Sequence, residues 1–236
     1  MKQKKGNFRV IELSSIKLTK RDIKGKQYIE IFNHVEKIIF HQQNYKISDG
    51  IKGFIFHGDV GIGKTTIAKA LAHDLRSKLI FIDGSDIARP RYGESENQIN
   101  EVFELLDSSK NSLVLIDDCE SVFPTRDWIK GESWHIAQNN VFFHALDNLD
   151  SSKASVILTT NRYDLLDRAV KDRLYNIHFP NPDKEALRSI AEQKMRKLRI
   201  KGSEKILERI DKDKFTTLRD LEKYITEQYI NEIISD

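Results

Sequence analysis

Five short apolar runs punctuate the chain, at residues 54–56, 79–82, 113–116, 156–158 and 177–179. They are rich in β-branched and aromatic residues and too short for helices, which predicts buried strands. Between them the apolar period lengthens. Ile67, Ala68, Leu71, Ala72 and Leu75 share one face of a helix predicted over 66–76. Ile99, Val102, Phe103 and Leu106 do so over 96–107, and Val141, Ala145 and Leu149 mark a third stripe. Strands alternating with helices imply an α/β fold, a parallel sheet covered by helices on both faces. On such sheets ligands bind at the carboxyl ends of the strands. Pro180-Asn181-Pro182 interrupts the alternation, and the chain is helical beyond it. Asp183 can cap a helix carrying Ala186, Leu187, Ile190, Ala191 and Leu198, ended by Lys201-Gly202. A short helix is predicted over 204–210. A longer one follows Thr217, with Leu218, Leu221, Ile225 and Tyr229 on one side. The pattern divides the chain into a short basic tail (1–18), an α/β unit (19–181) and a small helical lid (182–236).

The junction of the first run and the first helix carries the strongest chemical signal, Gly58-Asp59-Val60-Gly61-Ile62-Gly63-Lys64-Thr65. This is G-x-x-x-x-G-K-[ST] between a strand and a helix, the setting of a phosphate-binding loop. Glycines let the backbone curl so that N–H groups face phosphates, and the next helix aims its positive dipole end there. Lys64 can neutralise β- and γ-phosphate charge, and the Thr65 hydroxyl can ligate Mg²⁺. Gly58, Asp59, Val60, Gly61, Ile62, Gly63, Lys64, Thr65 and Thr66 are thus the candidate nucleotide-binding residues. The second signal is Leu113-Val114-Leu115-Ile116-Asp117-Asp118, a buried strand delivering two carboxylates to the sheet edge. Asp117 is placed to hold Mg²⁺ through water opposite Thr65, and Asp118 to orient or deprotonate an attacking water.

Composition narrows the setting. The chain has 236 residues, 39% hydrophobic and 32% charged, as suits a soluble globular protein. No apolar stretch approaches a membrane span, and the basic start lacks a signal peptide's apolar core. One cysteine, Cys119, excludes an internal disulfide framework, so a cytoplasmic location is the default. A net charge of +3 neither demands nor excludes nucleic acid. The histidines show no zinc spacing, and His57 is read as a strand end.

Taken in order, these segments resemble the AAA+ ATPases, and within them the clade of katanin and spastin. Gly58–Thr65 matches Walker A and 113–118 matches Walker B. Tyr92-Gly93-Glu94-Ser95-Glu96 looks like the clade's G-E-S-E segment. Thr159-Thr160-Asn161-Arg162, followed by Asp164-Leu165-Leu166-Asp167, looks like its T-N-R-P-D-L-L-D, with Tyr163 in place of proline. The resemblance implies a P-loop fold with a five-stranded parallel sheet and a helical lid. It implies ATP with Mg²⁺, hydrolysis, a ring that is most often a homo-hexamer, and a protein partner to be remodelled. It makes Asn161 the sensor that positions the lytic water. Arg173 becomes an arginine finger entering a neighbour's site, against a surface ion pair as the alternative. Ile23, in Asp22-Ile23-Lys24-Gly25, becomes an adenine contact, and Arg219 a second sensor or a solvated helix arginine.

Several positions depart from the family. Its second Walker B acid is glutamate, whereas Asp118 is one methylene shorter, which implies slow turnover; Glu120 compensates only if the strand end bends. The pore loop carries Arg91 and Tyr92 where the clade grips its substrate with an aromatic. Such a tip suits a polypeptide or nucleic acid, or lies solvated. Trp128 and Trp134 form either a contact surface or local packing, and Lys194, Arg196, Lys197, Arg199 and Lys201 make a basic lid face. Recruitment falls to the tail, the loops or a separate protein. Two other functions stay open: a nucleotide-gated scaffold with little turnover, and a nucleic-acid-handling loader.

Overall fold

The computed structural model describes residues 3–5, 8–87, 94–125, 133–200, 203–212 and 215–235. Its centre is a seven-stranded sheet. In chain order the strands are β1 (Gln3–Lys5), β2 (Phe8–Ile11), β3 (Gly53–His57), β4 (Lys78–Asp83), β5 (Ser112–Asp117), β6 (Ala154–Thr160) and β7 (Tyr175–His178). They lie in the order β1-β2-β4-β5-β6-β3-β7, and the five from β4 to β7 are parallel. The register sets His57 level with Thr160 and His178, and Asp83 level with Asp117, so the strands' carboxyl ends share one edge.

The predicted strands are present, and the parallel set is five as expected. The amino-terminal stretch, by contrast, is more than a tail. β2 pairs antiparallel with β4 (Arg9 opposite Phe81), β1 pairs with β2, and Phe8 is buried. A second element absent from the sequence reading is α1 (Lys26–Asn44), which buries Tyr28, Phe32, Val35 and Ile39 at helical spacing.

Helices α1 and α2 (Lys64–Asp74) cover one face of the sheet. Their core joins Phe32, Ile39, Ala68 and Leu71 to Phe54, Phe56 and Leu115. The other face is covered by α4 (Glu94–Asp107) and α5 (Ser133–Asp147), which follow the short α3 (Gly84–Ile87). The buried side of α5 is offset by one residue from the predicted stripe. Gln138, Phe142 and Leu146 face inward, while Val141 and Ala145 are half-buried. Apolar residues flank Phe142 on both sides, so periodicity left the face ambiguous. Its packing on Phe103 and Phe123, with ring centroids 5.7 and 4.5 Å away, decided it.

After α6 (Arg168–Arg173) and β7, three helices build a separate small core: α7 (Lys184–Leu198), α8 (Ser203–Asp211) and α9 (Leu218–Ser235). Asp183 caps α7 by accepting the Ala186 N–H at 2.7 Å. Leu187, Ala191, Met195, Ile206, Leu221 and Ile225 fill the core. Among the described residues no helix is long and apolar enough to cross a membrane.

Candidate functional site

The loop after β3 is shaped by what its glycines lack. Gly58 has φ +144, and a Cβ there would lie 2.4 Å from the Phe179 carbonyl oxygen. Gly61 has φ +77, and a Cβ would lie 2.7 Å from the Arg219 Cβ. Any side chain at either position is strained and collides with backbone or lid. The bare curl lets the Arg219 N–H donate to the Gly61 carbonyl at 3.2 Å, so the start of α9 rests directly on the loop.

Lys64 opens α2 and is 6% exposed. Its ammonium donates to the carbonyls of Gly58 (2.8 Å) and Asp59 (2.7 Å) and to Asn161 Oδ1 (2.8 Å). Burial draws its pKa down, against the pull of Asp118, Glu120 and Asp117. The Thr65 hydroxyl donates to Asp117 Oδ1 at 2.6 Å, and the Thr159 hydroxyl donates to the same oxygen. Thr159 in turn accepts the Asp118 N–H at 3.3 Å. The Asn161 amide donates to Asp118 Oδ1 at 2.9 Å. One network thus spans the ends of β3, β5 and β6.

Asp118 turns the chain at the end of β5, with φ 51 and ψ 52. Burial first, then the carboxylates of Asp117, Glu120 and Asp83, hold its pKa above the ordinary aspartate value. The turn does bend the strand end, and Glu120 comes close enough to act on both Lys64 and Asp118. One Glu120 carboxylate oxygen is buried without a hydrogen-bond partner. Glu120 is absent from the cavity wall, so the carboxylates facing the cavity from β5 are Asp117 and Asp118.

These groups form the floor of a cavity of about 550 Å³ between sheet and lid, within the range of small-molecule sites. Ile23, 8% exposed, and Tyr28 wall the far end, where the Tyr28 hydroxyl donates to the Pro180 carbonyl at 3.0 Å. The lid supplies Ile190, Gln193, Lys194, Lys197, Arg219 and Glu222. Gln193 and Lys197 reach Asp22 at 3.3 and 3.2 Å, closing the roof over the Ile23 segment.

Val60, Gly61, Ile62, Gly63, Lys64, Thr65, Thr66, Asp117, Asp118, Asn161, Ile23 and Arg219 all line this one cavity. Gly58 and Asp59 lie just outside it and meet Lys64 through their carbonyls. Arg173 is not in the wall. It ends α6, donates to Asp147 at 3.1 Å and lies 4.6 Å over the Phe143 ring. Arg91, Tyr92 and Trp128, and the side chain of Trp134, fall outside the described residues. Sequence reasoning missed Thr159, although it stands in the quoted Thr-Thr-Asn stretch, along with Gln193 and Glu222, and it read Lys194 and Lys197 as a basic lid face rather than as cavity wall. Nothing local in a helix marks which residues roof a distant cavity.

A thiol and an imidazole lie nearby. Cys119 is fully buried, and burial pushes its pKa up. His57 is drawn down to about 4 by burial, with His178, Lys64 and Lys171 adding to the effect, so its ring is neutral. The ring stacks on Tyr163 with centroids 4.1 Å apart.

The family described as "ATPase family associated with various cellular activities (AAA)" matches residues 54–181. The chain is similar to a cell division cycle protein 48 homolog of Archaeoglobus fulgidus, 35% identical over 156 residues, covering 62% of the chain and 20% of that protein. It is similar to the proteasome-activating nucleotidase of Pyrococcus horikoshii, 32% identical over 209 residues, covering 83% and 51%. It is also similar to a 26S proteasome regulatory subunit 8 homolog of Schizosaccharomyces pombe, 32% identical over 173 residues, covering 68% and 42%. The chain spans about half the length of that nucleotidase, and about a fifth of the cell division cycle protein 48 homolog.

Proposed function

The chain belongs to the AAA family of ATPases, and on that premise we propose that it hydrolyses ATP at a site shared between copies and remodels a protein partner as a ring. The observation that carries this is the floor network, in which a phosphate-loop lysine, a hydroxyl–carboxylate pair and an asparagine–carboxylate pair meet beneath one cavity. The triphosphate would lie along the loop N–H groups, with Lys64 exchanging its carbonyl partners for phosphate oxygens. The 2.6 Å pair of Thr65 and Asp117 fits Mg²⁺, which keeps most of its oxygens as water and phosphate. Thr65 and Asp117 would hold the ion, whose charge would offset that of the phosphate oxygens. Asp118, its basicity raised by burial, would take the proton of a water that Asn161 aligns. Ile23 and Tyr28 would cover the base, and Arg219 would report on the phosphates from the lid. Arg173 would swing from Asp147 into a neighbour's site and stabilise charge developing on the γ-phosphoryl group. The boundary at 181 suits this division, with the Phe179–Asn181 stretch as the hinge, whereas residues 8–11 belong with the sheet rather than with a tail ending at 18.

The test is complementation. Arg173→Ala and Asp118→Asn assemblies should each lose turnover by about 10²-fold or more, read as steady-state phosphate release. Mixed assemblies should regain part of it, because some interfaces then carry one intact Arg173 and one intact Asp118. Full activity of assembled Arg173→Ala would end the shared-site reading. A second reading, a nucleotide-gated scaffold with little turnover, draws on the short Asp118 carboxylate being held back by Asn161. Tight ATP binding without phosphate release would favour it.

A further inference from the structure

We propose that Tyr163 is a positioning residue that ties the Asn161 turn, the root of the phosphate loop and the helix bearing Arg173 into one unit, setting turnover rather than nucleotide affinity. The proposal rests on the functional reading of Asn161 and Arg173 above.

Tyr163 is two residues from Asn161 and makes three kinds of contact with three different elements. Its ring stacks on His57, with centroids 4.1 Å apart and planes 24° from parallel. His57 directly precedes Gly58, whose carbonyl accepts from Lys64. The same Lys64 ammonium donates to Asn161. The stack and the lysine therefore close a loop that holds the ends of β3 and β6 at a fixed spacing. Because the His57 ring is neutral, stacking brings no like charge against the Lys171 ammonium, which lies 4.6 Å from the Tyr163 ring centroid.

The third contact runs to Arg173. The Tyr163 hydroxyl donates to Asn176 Oδ1 at 3.0 Å. The Asn176 amide donates to the carbonyls of Lys171 (2.9 Å) and Leu174 (3.1 Å). Those two carbonyls bracket Arg173, so one side-chain relay fixes the end of α6 against the Asn161 turn. Tyr163 is absent from the cavity wall. It touches no group that would meet nucleotide, and its influence must pass through the residues it holds.

The consequence is kinetic. Asn161 and Arg173 would act on the same chemical step from opposite sides of an interface, one in its own site and one in the next. A residue that locks both to the phosphate loop makes their placement correlated around a ring. Loosening it misplaces transition-state contacts while the loop, Ile23 and the lid still bind ATP.

The experiment uses the full chain, assembled in ATP and Mg²⁺, and measures kcat and KM beside affinity for a non-hydrolysable ATP analogue. Tyr163→Ala should lower kcat about tenfold, short of the roughly hundredfold that a 1 Å misplacement of reacting groups can cost. Analogue affinity and KM should stay within about twofold, as expected when only transition-state contacts are lost. Tyr163→Phe keeps the stack and loses the relay, so kcat should fall only about threefold. Asn176→Ala should match it, and the Tyr163→Phe/Asn176→Ala pair should be no worse than either alone. An unchanged kcat in assembled Tyr163→Ala overturns the proposal, as does an equal loss of kcat and analogue affinity. Should Tyr163→Ala fail to assemble, additivity of the Phe and Asn176 changes overturns it. Wild-type chain that binds ATP without turnover fails the functional reading itself, visibly before any variant is made.

Discussion

The floor and the roof of the cavity are built on opposite principles. On the floor, Lys64 is 6% exposed and makes three hydrogen bonds, and Asp117 gathers two hydroxyls. On the roof, Lys197 is 65% exposed and meets Asp22 in an ion pair, and the Gln193–Asp22 bond is long at 3.3 Å. The buried Lys64 and Thr159 cannot leave their partners without stranding polar groups, each at a cost of about 1–3 kcal/mol. Exposed ion pairs contribute about 0–1 kcal/mol and exchange readily with water. The difference predicts where motion costs least: the chemical groups are fixed on the sheet edge, and the Lys197–Asp22 and Gln193–Asp22 contacts of the roof are expected to open first. Asn181 joins the two, its amide donating to the Asp59 carboxylate at 2.8 Å across the loop and the hinge.

Three changes would break or sharpen this contrast. Lys64→Ala strikes the floor hardest, removing the cation bonded to both loop carbonyls and Asn161. It should lower kcat/KM by about 10³-fold, seen in phosphate release, with ATP no longer raising the melting temperature. Retained turnover would show that the floor does not grip phosphate.

Asp118→Asn probes the cost of building the floor. The folded pKa of Asp118 lies above 3.8, with burial the first cause. Its contribution to folding is therefore fully present below that unperturbed value and is lost as pH rises through the folded value. Above it the ionised carboxylate opposes folding, and asparagine removes the charge. The variant should melt higher than wild type at about pH 7, and the gain should vanish by about pH 4. A variant that melts lower at neutral pH would place the carboxylate among the stabilising groups. This is the trade of stability for activity usual at such sites.

Lys197→Ala probes the roof. It should cost less than about 1 kcal/mol, and the difference from wild type should disappear in about 1 M salt, where screening is short-ranged. A larger loss, insensitive to salt, would make the roof as rigid as the floor.

The extent to which this molecule was legible depended on how local each feature is. Gly58 to Thr65 is contiguous, and its curl follows from glycine spacing, so the loop could be read directly. Four of the parallel strands were visible because strands buried on both faces are largely apolar, whereas the edge strand β7 showed only through Ile177, its one buried residue. Tyr28, Phe32, Val35 and Ile39 also carried a helical period, yet α1 went unread beside stronger signals. The pairing of Arg9 with Phe81 left no trace in either segment, since an edge ladder is made of backbone bonds. Asn161 and Arg173 were singled out through family resemblance, and no spacing rule would have found them.

By itself the sequence determined the strand–helix alternation, the phosphate loop and the acidic strand end, because each is written in neighbouring residues through backbone sterics and apolar period. Only the tertiary structure decided that Lys64, Asn161 and Asp118 share one network, that Arg219 rests on Gly61, and that Tyr163 bridges His57 to the end of α6. Those contacts join residues from 13 to more than a hundred positions apart, and their geometry comes from strand register and from helix packing, which no single segment encodes.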